Sequence, residues 1–138
     1  MQTHVEFRSE KFPPYEGEEE QINPGLWGKR LAEYLCENLS NKGVSVGSIF
    51  AEDWGWIVPI TGKPFNMWVG CGNYQEYPDD GFLVFIEPSR PVIKKWFKKI
   101  DVSADITELA DRLDAILRDD PAIRDIRWWT DDEVSGKR

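Results

Sequence analysis

The stretch EDWGWIVPITGKPFNMWVGCGNYQEYPDDGFLVFIEP, residues 52–88, sets short apolar runs between turn-forming residues. GWIVPIT (55–61), FNMWVGCG (65–72) and GFLVFIEP (81–88) have the length and the β-branched and aromatic content of strands. TGKP and NYQEYPDD between them are turn sequences. Connections this short join antiparallel neighbours, so the stretch predicts a three-stranded meander. Pro59 has no amide donor, which predicts an edge or a kink in its strand. On a strand, Trp54, Trp56, Val58 and Ile60 would share one face, with Gly55, Ile57 and Pro59 on the other. Whether SVGSIF (45–50) adds a strand is left open.

Upstream, Asn23 and Pro24 fit the cap and first position of a helix. Leu26, Trp27, Leu31, Tyr34, Leu35 and Leu39 follow helical spacing, and Asn41-Lys42-Gly43 supplies a stop. Further upstream, THVEFR (3–8) reads as a strand, and the acidic segment at about 9–22 as an exposed loop. Downstream, SRPVIKKWFKKID (89–101) does not alternate. It reads better as a short helix than as extended chain, with Trp96 and Phe97 on its buried side. The clearest helix starts near Ser103 and carries Ile106, Leu109, Ala110, Leu113, Ile116 and Leu117 on one stripe. Asp120-Pro121 ends it. DIRWWT (125–130) reads as a last strand, and 131–138 as a frayed tail. The order β-α-β-β-β-α-β predicts one α+β domain over residues 1–138: a mainly antiparallel sheet with helices on one face, in two layers.

The chain has 138 residues, 41% hydrophobic and 30% charged, as expected of a folded globule. Seven Trp, seven Phe and four Tyr are the unusual feature. Large aromatic side chains bury well, so most of them are expected in the core. The net charge of −8 disfavours nucleic acid, which needs a basic surface. No apolar run is long enough to span a bilayer, and the N-terminus carries no secretory pattern. Cys36 and Cys71 lie far apart in apolar contexts and read as reduced thiols, pointing to the cytoplasm.

No catalytic constellation stands out, so the chain leans towards a non-enzymatic role. His4 is the one histidine and reads as a surface imidazole on a strand. No zinc, calcium or phosphate-loop spacing is present, and no metal or cofactor is expected. Two features remain. Glu52, Asp53, Trp54, Trp56, Trp68, Asn73, Tyr74, Glu87 and Arg90 sit at or near strand ends, where aromatic walls with acids and an arginine could form a cleft. A core role for the tryptophans outweighs this reading. Lys94, Lys95, Lys98 and Lys99 form a basic patch suited to an anionic membrane or acidic partner; a solvated face over buried Trp96 and Phe97 is the simpler account.

NPGLWGKRLAEYL, EDWGW, WVGCGNY and GFLVFIEPS together resemble a family of uncharacterised small bacterial proteins. The resemblance spans most of the chain and implies a bacterial cytoplasmic origin, with no activity attached. The function expected from the residues is an acidic protein-interaction domain drawn to a basic partner, with an inhibitor- or immunity-like protein as one concrete form. The alternative is a small-molecule-binding domain or modest enzyme, with Glu52 or Glu87 as acid–base group and Arg90 as anion clamp.

Overall fold

The structure is a computed structural model and describes residues 1–74 and 77–134. It is an α+β protein. Among the described residues the main sheet has six strands in the order β2-β3-β4-β5-β1-β8, each antiparallel to its neighbours. The strands are β1 (Gln2–Ser9), β2 (Phe50–Glu52), β3 (Gly55–Ile60), β4 (Met67–Gly72), β5 (Gly81–Glu87) and β8 (Ile123–Thr130). The meander read from residues 52–88 is β3-β4-β5, and β2 extends it at one edge. The N-terminal β1 then inserts between β5 and the late strand β8.

Helices α2 (Lys29–Asn41) and α3 (Ser103–Arg118) pack on one face. There the sheet supplies Val5, Phe7, Val58, Val69, Val84 and Ile86, and the helices supply Leu31, Leu35, Leu39, Ile106, Leu113 and Leu117. Burial of each such side chain contributes about 1.5–3 kcal/mol. Gly43, at φ 83°, ends α2: its N–H donates to Ser40 O and that of Val44 to Leu39 O, a Schellman closure. Asp101 caps α3, its Oδ1 accepting from the Ser103 amide at 2.9 Å.

The first helix starts later than expected. Pro24 and Gly25 form a turn instead, with Leu26 N–H donating to Asn23 O and Gly25 at φ 80°. The side chain of Asn23 is spent on Asp53 O, 2.6 Å away. The cap of α2 comes from far off. Glu18 Oε2 accepts the N–H of Gly28 at 2.7 Å, that of Lys29 at 2.9 Å and the Trp56 indole N–H at 3.1 Å. Its Oε1 accepts Tyr15 N–H at 3.0 Å.

Glu18 belongs to the short helix α1 (Glu18–Gln21) and is only 1% exposed. The acidic segment is therefore no loop lying loose on the surface. Phe12, Glu18 and Ile22 anchor it in the interior, while Glu16, Glu19 and Glu20 face solvent.

Three further expectations change. β3 is an interior strand, not an edge. The Pro59 carbonyl accepts Gly47 N–H, so its ring nitrogen faces the side where β2 has already ended and no ladder bond is lost. Residues 89–101 are not a helix: β6 (Val92–Lys95) and β7 (Lys98–Asp101) form a separate antiparallel hairpin. The β-branched Val92, Ile93 and Ile100 favour that geometry, and Trp96 and Phe97 stand exposed at its tip. The tail is helical over α4 (Asp131–Val134), and residues 135–138 lie outside the described residues.

Glu18→Ala strands four donors, three of them on one oxygen, and should destabilise the fold by about 3 kcal/mol or more in chemical denaturation. Glu18→Gln keeps an acceptor for the three shared donors and should cost about 1–2 kcal/mol. Equal, negligible costs for both variants would contradict this account of the helix cap.

Candidate functional site

The helices leave the opposite face of the sheet open. In an antiparallel sheet, residues paired across strands project on the same side. The pairs Phe50–Ile57, Ile57–Gly70, Gly70–Phe85, Phe85–His4 and His4–Trp129 therefore define a single row across all six strands. At about 4.8 Å per strand the row is about 24 Å long.

Gly70 is the gap in that row, and Trp54 fills it. A Cβ at Gly70 would lie 2.4 Å from Phe85 Cζ and 2.8 Å from Trp54 Cη2. Trp54 sits in the two-residue turn between β2 and β3, so the alternation of β3 does not govern it. Trp54 and Trp56 consequently part company. Trp56 points into the helix-covered core, 5% exposed and bonded to Glu18, whereas Trp54 folds over the open face.

The Trp54 ring stacks on Trp68 at 5.9 Å and leans on Phe85 at 5.2 Å. Phe85 meets Trp68 edge-on at 5.7 Å and stacks against His4 at 5.7 Å. Trp54, Trp68 and Phe85 all stay partly exposed. Together with Tyr74, Leu83, Glu87 and Val134 they line a shallow cleft of about 390 Å³.

Glu87 and His4 border this cleft. Glu87 is paired with Trp68 across the strands. Burial pushes its carboxyl above the ordinary value of 4.5; nearby Asp131 adds to this, and a bond from the Ser89 backbone opposes it. His4 is not the surface imidazole expected. It is 9% exposed, with Nδ1 2.8 Å from Thr3 Oγ1. Burial lowers its pKa from 6.5, with Asp131 opposing.

The other expected site residues scatter. Glu52 and Asp53 are exposed at the β2–β3 turn. Asn73 is buried and structural, its amide donating to Pro78 O at 2.7 Å and Gly81 O at 2.8 Å. It also borders a second hollow of about 770 Å³, beside Trp27, Tyr77 and Asp80. That hollow is more polar, and its Asp80 is already held by Arg8 at 2.8 Å and Arg124 at 2.6 Å. Arg90 lies in a separate depression with Thr130 and Asp132. The anticipated cleft thus keeps Trp54, Trp68, Tyr74 and Glu87, loses Glu52, Asp53, Trp56, Asn73 and Arg90, and gains His4, Leu83, Phe85 and Val134. Strict alternation within GFLVFIEP could have placed Phe85 and Glu87 together on one face; no local signal links them to His4.

Neither thiol forms a disulfide: Cys71 is buried and Cys36 half-buried. Desolvation drives the Cys71 thiol well above its ordinary range, so it stays protonated and unreactive. No helix among the described residues is long and apolar enough to cross a membrane. Comparison with protein-family models, curated proteins and solved structures finds no match.

Gly70→Ala must displace Trp54 or Phe85 and should cost about 1–3 kcal/mol, with the Trp54 and Trp68 indole NMR signals shifting most. An unshifted indole spectrum would show that Gly70 is not the seat of Trp54. For Glu87 the raised pKa means that the folded state favours the neutral acid. Its stabilising contribution is full below the unfolded value and is lost as pH rises through the folded one. Glu87→Gln should therefore raise the denaturation midpoint near neutral pH and leave it unchanged at about pH 4.

Proposed function

We propose that this protein is a non-enzymatic interaction domain that binds a basic, partly apolar segment of another protein along the open face of its sheet. The observation that carries this reading is the row from Phe50 to Trp129. It is apolar or aromatic at nearly every position and runs from one sheet edge to the other. A stripe of that length outruns a small metabolite and matches a helix or strand of a partner. Acids flank it: Glu87 on one side, Glu6 and Glu52 on the other. Exposed indole faces beside a carboxylate suit an arginine or lysine side chain. The face already holds one such contact, the Arg127 guanidinium 3.8 Å from the centre of the Trp129 ring. The overall charge of −8 would speed the approach of a basic partner. Reduced thiols fit a cytoplasmic setting.

A second reading, a small-molecule site, is favoured by His4 and Glu87 bordering one cleft with their proton affinities shifted in opposite directions. A thermal-shift screen separates the two. A cleft ligand at about 100 times its dissociation constant adds about 2.7 kcal/mol of stability, whereas a pure interaction domain gives no metabolite hit.

The interaction reading is tested with a lysine- and leucine-rich amphipathic peptide titrated into the full chain, followed by indole NMR. The Trp54 and Trp68 signals should move. Trp54→Ala with Trp68→Ala should weaken binding about tenfold or more. Affinity should fall as pH is lowered from neutral, because Glu87 gains its proton and His4 becomes cationic. Binding that ignores both substitutions would sink the proposal.

A further inference from the structure

The β6–β7 hairpin stands apart from the sheet, and its composition is at odds with its geometry. Lys95 pairs with Lys98 across it, leaving a two-residue turn made of Trp96 and Phe97. Such turns favour glycine or asparagine where φ is positive, yet Trp96 occupies that position at φ 59°. Both rings are in solvent, Trp96 at 88% exposure and Phe97 at 103%. Behind them, Lys95–Lys98 and Lys94–Lys99 set like charges directly opposite each other, which destabilises a strand pair. Exposure this high leaves both rings without a packing role in the fold of the isolated chain. The hairpin behind the tip, by contrast, is secured: Ile93 and Ile100 pack against the core and the Lys95 ammonium donates to Pro64 O. The remaining three lysines are exposed and form no salt bridge among the described residues.

We propose that this hairpin tip inserts into the interface of an anionic lipid membrane, Trp96 and Phe97 entering the headgroup–acyl boundary and Lys94, Lys98 and Lys99 pairing with lipid phosphates. The layering fits. Interfacial aromatic groups sit about 5–10 Å into that boundary, and the lysines follow one and two residues behind, about 3.4 Å per step, on both faces of the hairpin. Tryptophan is favoured at this depth because its ring is apolar and its N–H is wet. A convex tip of two bare rings has no cavity to offer a protein side chain, whereas a bilayer deforms around it. Charge sets the orientation. With four lysines within residues 94–99, the rest of a chain of net charge −8 carries −12, so an anionic surface attracts the tip and repels the body.

The test uses the full chain and vesicles of phosphatidylcholine with and without phosphatidylserine, read by flotation. Binding should require phosphatidylserine and weaken as salt is raised. Trp96→Ser with Phe97→Ser should lower it about tenfold or more, and Lys94→Gln with Lys98→Gln and Lys99→Gln about 100-fold. Neither variant touches the core, so the thermal midpoint should not fall; that measurement confirms that lost binding is not lost folding. Brominated lipid should quench fluorescence in the wild type, and less so in Trp96→Phe, which keeps binding but removes the inserted indole. Absence of binding to anionic vesicles at low salt overturns the proposal. So does binding with no Trp96-dependent quenching, or polyglutamate bound with the same dependence on Trp96 and Phe97, which would assign the tip to an acidic polymer instead.

Discussion

The structure depends on one buried carboxylate. Glu18 Oε2 collects three N–H donors that have no other acceptor among the described residues: two at the start of α2 and the indole of Trp56 on β3. A carboxylate buried this fully is costly unless each oxygen is hydrogen-bonded, and here each is. Its negative charge also lies at the positive end of the helix dipole. One side chain therefore fixes where α2 begins, how α2 meets the sheet, and which way Trp56 faces. The surrounding cations complete the arrangement, with the Lys29 ammonium 5.4 Å from the Trp56 ring.

With Trp56 drawn inwards, β3 commits its alternate residues to the helix-covered core and leaves Ile57 and Pro59 on the other side. Among the described residues only Val134 of α4 reaches over the aromatic cleft on that side, and α2 and α3 both lie on the other. The chain covers part of it with Trp54, which leaves the turn and settles in the space that Gly70 keeps clear. The outcome is an aromatic surface that is organised but not enclosed, with the Glu87 carboxyl at its border. Partial burial is what gives that surface chemical character: it raises the proton affinity of Glu87 and lowers that of His4 while leaving Trp54, Trp68 and Phe85 partly exposed.

Glu6, Glu52 and Glu87 border the open face, while the densest run of lysines sits on a separate hairpin whose tip is aromatic. An attractive surface for a basic segment and one for an anionic bilayer can then coexist without cancelling, since screening over about 8 Å at physiological salt separates them.

Much of the fold was legible in the residues because it rests on short-range periodicity. Alternation and turn chemistry in residues 52–88 determined the meander, and the stripe from Ile106 to Leu117 determined α3. What tertiary structure decided were matters settled by distant partners. The cap of α2 is supplied by a glutamate ten residues upstream of Gly28, which turned an apparent helix start at Asn23 into a turn. Trp54 looked like the first residue of a strand face and became a cover for Gly70, because side-chain packing across β4 and β5 outweighs the pattern of its own strand. The hairpin at 92–101 and the exposure of Trp96 and Phe97 were likewise invisible to periodicity, since both helix and strand bring like charges together there. Local spacing specifies which element forms; only the assembled sheet specifies which face each side chain finds and what it meets.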